Sequence, residues 1–557
     1  MTDYFDLGTY SHEISTQSGQ AQIWFDRGLI WCYGFNQEEA CRCFEQVIVH
    51  DPQCAMGYWG IAYALGPFYN KPWEWYGDEE RILALKICFE NIQKAQEMAP
   101  NASLLEQQLI ESLCLKFQSA EVTDCDTMNQ WNHDYANSMA GVLARFPQDL
   151  EAICLSAEAV MNLTTWKLWD LRRGLPAVGA LTERAIEILT QGMALTELVD
   201  KEPHPGILHF YIHLLEMSPF PDKALKAANQ LRHLCPQAGH LLHMSTHIDV
   251  LCGHYLEAVE ASNRAIEADM EYLTLRGKHE FYLISCLHNY HTKIYAAMFL
   301  GQFDTAMEAA KGLRSIVTDD LLKINERYLA STLEAYYSSK VHVLVRFGRW
   351  QDILDEPLPE DQALYPMTTV LLYYGKGVAH SALGDIDQAR QCQATFEQLC
   401  QAIPDWHSVA NNPTPDILRV ASAMLAGELD YHAGNHELGY SNLREASELS
   451  DNLSYSEPWP WMHPPRHALG ALLLEQDHVE EAMQHYRDDL GIDDILPRCL
   501  QHPNNIWALH GYYECLTRTG RLEEAAALKP QLDAAMALVD IKIESSCCCR
   551  KKTFDTG

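Results

Sequence analysis

The chain has 557 residues, 41 Lys and Arg against 76 Asp and Glu, and a net charge of −35. That balance excludes a protein that coats nucleic acid or an anionic membrane, because phosphate binding needs clustered Lys and Arg. With 47% apolar and 21% charged residues it can bury a large core and is not a disordered chain. Ala, Leu, Glu and Gln dominate and hairpin-turn signals are scarce, which disfavours a β-rich fold.

The first twenty residues carry Asp3, Asp6 and Glu13 and lack an apolar core, so no secretory signal is expected there. The first helical pair reads from Trp24 to Pro52. Trp24, Gly28, Ala40, Phe44 and Pro52 fall at the spacings of the 34-residue tetratricopeptide unit, with Trp31 in place of its tyrosine. Gly28 and Ala40 let two antiparallel helices approach, Trp24 and Phe44 are expected to fill the gap between them, and Pro52 stops the second helix. The uncharged stretch from Pro52 to Asn70 is broken by Gly57, Gly60 and Gly66–Pro67, so it predicts a buried helix and its stop instead of a membrane span.

Residues 71–250 predict amphipathic helices without a clean repeat turn. Beyond them the turn of the same unit recurs: glycine, any residue, a bulky residue, two more, then alanine. It stands at Gly253/Tyr255/Ala258, Gly301/Phe303/Ala306, Gly384/Ile386/Ala389 and Gly520/Leu522/Ala525, with degenerate copies at Gly434/His436/Gly439 and Asp477/Val479/Ala482. One copy means little; this series, joined to helical apolar spacing, predicts an all-α, tetratricopeptide-like helical hairpin solenoid wound as a superhelix. By sequence character it divides into N-terminal tetratricopeptide-like helices (1–120), a divergent His-rich region (121–300), C-terminal repeats (301–540) and a Cys-rich tail (541–557).

Histidine carries the chemical signal. Of 25 in the chain, 11 lie between His204 and His291. In HFYIHLLE, His209, His213 and Glu216 stand at i, i+4 and i+7; in HLLHMSTH, His240, His243 and His247 stand at i, i+3 and i+7, and His288 and His291 repeat the shorter step. Such spacings put each set on one helical face. Imidazoles so placed can converge on one ion, and the Met217–Gly239 link predicts a returning helix over Asp222–Cys235 that would set the two faces side by side. The metal set expected is His209, His213, His240, His243 and His247, with Glu216 as a further ligand or general base. Copper, iron and zinc all accept imidazole, and nearby Met161, Met217 and Met244 leave room for copper. The competing readings are core histidines satisfied by carbonyls and carboxylates, and a metal-free groove for an acidic or peptide ligand. No phosphate loop, Gly-x-Ser-x-Gly elbow, Cys-x-x-Cys or His-Glu-x-x-His motif competes.

These blocks resemble a family of tetratricopeptide-repeat proteins found widely in bacteria and in some eukaryotes. The resemblance is carried by Phe25–Asn70, SAEAVMNLTTWKLWD (Ser156–Asp170), HPGILHFYIHLLEMSPFPDKAL (His204–Leu225), AGHLLHMSTHI (Ala238–Ile248) and HPNNIWALHG (His502–Gly511), and spans most of the chain. It implies a shared site at Glu158, His209, His213, Glu216, His240, His243 and His247, with Glu158 or Glu216 as a further ligand or general base. The family pattern has histidine where this chain has Gln37, a departure that bears on any site including that position.

The chain closes on SSCCCRKKTFDTG, in which Cys547, Cys548 and Cys549 precede Arg550, Lys551 and Lys552. A loose tail with incidental thiols is the expectation; acylation beside the basic cluster and thiolate ligation of the His site are the alternatives. The other cysteines are expected reduced and buried, in the cytoplasm. Two functions follow. One is a metal-dependent enzyme, an oxidoreductase before a hydrolase. The other is a non-catalytic interaction scaffold whose histidines are structural. Either would hold a small molecule or peptide in its groove, with no nucleic acid and no transmembrane segment.

Overall fold

The computed structural model describes residues 4–121, 124–198, 202–324 and 326–551. The fold is all-α, a tetratricopeptide-like solenoid of helical hairpins. The β structure among the described residues is confined to two antiparallel ladders of two-residue strands, Trp169–Asp170 with Leu175–Pro176 and Ser408–Val409 with Asn412–Pro413, and one isolated bridge. None of the described helices is long and apolar enough to cross a membrane. The chain forms two compact units, one of residues 1–248 and 264–286, the other of 249–263 and 287–557, which cut across the segments of differing sequence character.

Every predicted repeat turn falls between two helices. Gly301 separates Leu283–Leu300 from Phe303–Ile316, Gly384 separates Pro366–Leu383 from Ile386–Cys400, and Gly520 separates Ile506–Arg518 from Leu522–Met536. The reason for glycine is conformational: Gly253, Gly301, Gly384, Gly434 and Gly520 all have φ between 70° and 90°, the left-handed region that closes a helix C-terminus. Asp477 holds the same place at φ 63°, which a short polar side chain tolerates. A further turn, at Gly348 (φ 60°) between Ser339–Arg346 and Trp350–Asp355, escapes the sequence pattern because Ile353 stands where the repeat has alanine.

In the first unit the opening hairpin pairs Gly19–Tyr33 with Gln37–His50, and Ala55–Leu65 packs next against the second of these. Phe44 is the wedge. An added Cβ at Gly28 would meet its ring at 2.5 Å, and one at Gly60 would meet it at 2.3 Å, so one phenyl ring fills the space that two glycines leave. Trp24 does not share that gap. It is half-buried at the edge of Tyr4 and under Arg27, while Phe25 supplies the second ring beside Phe44, 5.6 Å away. Gly60→Ala is therefore expected to destabilise by about 1–3 kcal/mol through overpacking. Gly141→Ala, on an open helix face with nothing within 4 Å, is expected to stabilise by about 0.5–1 kcal/mol. Urea midpoints of the two variants shifting in the same direction would contradict this packing.

Helical pairs Asp78–Met98 with Leu104–Lys116, Cys125–Arg145 with Leu150–Met161, and Thr182–Leu198 with Pro205–Glu216 continue the first unit through the region where no repeat turn is legible. The Met217–Gly239 link does contain the returning helix, shorter than expected: a 3-10 turn at Pro221–Ala224 runs into Leu225–Leu231.

The tail is not loose. Residues 541–551 carry no helix, yet Ser546, Cys549 and Arg550 are buried in the second unit. Arg550 grips Glu514 through two bonds of 2.7 and 2.9 Å, and the Ser546 hydroxyl donates to the His467 carbonyl at 3.0 Å. The buried Glu514 carboxylate supplies the docking energy that tail composition alone does not reveal. Cys547 and Cys549 are bridged, the remaining sixteen cysteines form no disulfide, and Lys552 lies outside the described residues.

Candidate metal centre

The first unit gathers all five predicted ligands. His209 and His213 project from Pro205–Glu216, a helix whose N-cap is His204, its Nδ1 accepting from the Ile207 N–H at 3.2 Å. The second block is not one helix, as its spacing predicts, but two: Gly239–His243 and Ser245–Cys252, broken at Met244. Leu242 turns the opposite way, into a core with Ala265 and Ala268, which aims His240 and His243 at the first block. The rings then form a continuous chain. Centroids lie 4.7 Å apart for His209 and His213, 5.0 Å for His209 and His240, 5.9 Å for His240 and His243, 4.8 Å for His243 and His247, and 5.5 Å for His213 and His247. All five are buried.

Burial raises the Glu216 carboxyl well above its ordinary range, and the two rings it bridges oppose this; with that carboxyl ionised, hydrogen bonding sets the tautomers. The Nδ1–H of His209 donates to the Tyr33 carbonyl, and the Nδ1–H of His213 donates to Glu216 Oε1 at 2.9 Å. His247 gives its Nδ1–H to the other carboxylate oxygen, Oε2, at 2.6 Å, so Glu216 clamps one ring from each block. With Nδ1 committed, His247 Nε2 carries a lone pair, and His243 Nε2–H satisfies it at 2.9 Å. Nothing does the same for the first block: Nε2 of His209 and Nε2 of His213 have no hydrogen-bond partner among the described residues. Ligand atoms of His209, His213 and His240 lie within 4.8 Å of one another. Burial, with His213 beside it, keeps His209 well below its ordinary pKa, and burial lowers His213 to about 3. Both are therefore neutral at physiological pH and hold lone pairs. Two such lone pairs facing into one dry space are unfavourable without a donor or a cation between them.

Aromatic side chains wall the space. Phe35 stacks within 5.3 Å of His240, 5.7 Å of His213 and 4.4 Å of His209, while Tyr69 and Trp166 cover His213 at 4.9 and 5.9 Å. Phe35 and Trp166 both adopt left-handed backbone, φ 54° and 61°, a cost that bulky residues bear where the surroundings dictate it. A second tether supports His209. Tyr33 and Tyr10 donate their hydroxyls to Glu151, which also takes the His204 Nε2–H at 3.2 Å. Tyr10 and Tyr33 have no legible signal in the sequence, because their partner Glu151 is more than a hundred positions away.

Of the two predicted carboxylates, Glu216 meets the histidines. Glu158 is buried but hydrogen-bonds elsewhere, accepting from the Tyr63 hydroxyl and from Asn162 Nδ2 at 3.1 Å. Gln37 is buried, and its Oε1 finds no hydrogen-bond partner among the described residues. His288 and His291 belong to the second unit, where both rings stack on Tyr336.

No family model matches the chain, and no curated protein matches it. Among solved structures it is similar to yeast Tom70, with 10% identity and a TM-score of 0.30 over 93% of this chain and 89% of that one. It is also similar to Naa15/Naa10 bound to HypK-THB (12% identity, TM-score 0.22, covering 93% and 70%) and to Ypp1 (12% identity, TM-score 0.40, covering 93% and 83%).

Proposed function

We propose that the first unit is a helical-hairpin scaffold that holds a transition-metal ion on His209, His213 and His240, and that the ion serves a metal-dependent oxidoreductase. The observation that carries this reading is the pair of buried, unpartnered Nε2 lone pairs on His209 and His213, each fixed by a committed Nδ1–H. That is the arrangement in which an outer carbonyl or carboxylate orients a metal ligand. Neutral imidazole donors suit copper and zinc, and iron as well. His243 and His247, already paired with each other and with Glu216, complete the wall and stand ready as further ligands. When bound, the ion would supply Lewis-acid or one-electron chemistry. Hydrolysis stands second, because both carboxylates suited to the base role, Glu158 and Glu216, are engaged in hydrogen bonds.

The second reading, an interaction scaffold with structural histidines, is favoured by the hairpin architecture itself, since stacked hairpins present extended binding faces. Elemental analysis of the purified full chain separates the two. About one copper, zinc or iron per chain, removed by chelation and restored by the ion, supports the metal reading. A chain that purifies metal-free and takes up none of the three ions leaves the scaffold reading alone.

A further inference from the structure

The second unit buries a different polar cluster, built around a cation. Arg346 ends the helix Ser339–Arg346, is 5% exposed, and makes no ion pair among the described residues. Its guanidinium lies 3.7 Å above the Trp507 ring and gives one hydrogen bond, from Nη2 to the Ser546 carbonyl of the docked tail at 2.9 Å. Its Nε–H has no partner among the described residues. Asp489, the nearby candidate counter-ion, is spent on others: it accepts from His467 Nε2 and His502 Nδ1, both at 2.8 Å, and from Asn505 Nδ2 at 3.0 Å.

One helical turn before Arg346 stands His342, which opens a knot of rings. His342 lies 4.9 Å from Trp461 and 5.4 Å from His463, Trp461 lies 5.3 Å from His463, and Tyr374 lies 5.4 Å from Trp461. His342, Arg346 and His467 are all near enough to His463 to depress its titration along with burial. Each of these side chains is more than nine-tenths buried and each keeps a polar atom unpaired: His342 Nδ1, His463 Nε2, His467 Nδ1, Trp461 Nε1 and the Tyr374 hydroxyl. A buried polar atom left unpaired is costly, and a buried unpaired charge costs more. So many in one place mark a site that binds something. The guanidinium decides the sign of its charge, because a cation would be repelled and an oxyanion would complete the missing ion pair.

We propose that the second unit holds a binding site for a compact oxyanion, a carboxylate or a phosphate, on Arg346, with Trp461 Nε1–H, the Tyr374 hydroxyl and the His342, His463 and His467 rings around it and the C-terminal tail across it. Arg346, lowered by burial to about 9, still carries its charge at neutral pH. The imidazoles supply adaptable partners for an anion that brings its own proton. The site shares no residue with the histidine centre of the first unit and does not depend on a metal there.

Calorimetric titration of the full chain with inorganic phosphate, and separately with acetate, against chloride at matched ionic strength tests this. One saturable site per chain is expected for at least one of the two, and the arm that binds identifies the class. Arg346→Met should weaken it by at least about tenfold, as expected when a buried charge partner is removed. Trp461→Phe, which keeps an aromatic ring but removes the N–H with the five-membered part of the indole, should weaken it several-fold and serves if the arginine variant does not fold. His213→Ala should leave the affinity unchanged. Absence of saturable binding by either anion, unchanged affinity in both Arg346→Met and Trp461→Phe, or loss of binding in His213→Ala overturns the proposal.

Discussion

Replacing Glu216 by glutamine is expected to lower metal affinity by about 10- to 100-fold while leaving the helical content intact. The carboxylate accepts the Nδ1–H of His213 through one oxygen and that of His247 through the other. An amide has only one acceptor. Its NH2 group would face one of the two imidazoles donor to donor, and that ring would have to move its proton to Nε2. If the ring is His213, it loses the lone pair that a metal needs; if it is His247, the His243 hydrogen bond breaks instead. Competition of Zn2+ or Cu2+ between the protein and a chelator measures the loss. Wild-type affinity in a folded Glu216→Gln protein would show that the clamp does not orient a ligand.

Glu151 is expected to contribute about 3 kcal/mol to the first unit at neutral pH, and acid should remove it. Burial by itself raises this carboxyl, but the His204 imidazole and the hydrogen bonds it receives outweigh that and hold it at about 2, below the ordinary value of 4.5. The folded state therefore favours the ionised form. The stabilisation is complete above about pH 4.5 and disappears as pH falls from there towards 2. In urea unfolding, the stability gap between wild type and Glu151→Gln should be wide at pH 7 and close across that window. A gap that is constant with pH would mean that Glu151 acts by packing alone. Because the Tyr33 hydroxyl donates to Glu151 and the Tyr33 carbonyl receives His209, the same variant should also loosen the proposed metal centre.

The docked tail changes what surrounds the second unit's arginine. Ser546 and Cys548 would read as a loose end in the sequence, but Gly348 has no room for a Cβ, which would meet Cys548 at 2.5 Å. The turn that the repeat pattern misses is thus the surface on which the tail rests. Its glycine is required twice, for its positive φ and for that contact.

Local chemistry made much of this protein legible in its sequence. The hairpins could be read because a helix C-terminus that reverses direction needs a left-handed residue, and the glycines at 253, 301, 384, 434 and 520 and Asp477 meet that need at the places where helices end. The histidine faces could be read because spacings of three and four positions project side chains to one side of a helix. Tertiary structure alone decided the rest. It chose which lone pairs are satisfied, giving His243 to His247 and leaving His209 and His213 open. It set Phe35 and Tyr33 against His209 across more than 170 positions, turned Glu158 to Tyr63, and buried Arg346 without an ion pair among the described residues. Those outcomes depend on which helices share a wall. That choice is settled by the summed packing of many side chains, such as Phe44 between Gly28 and Gly60, and no local spacing encodes it.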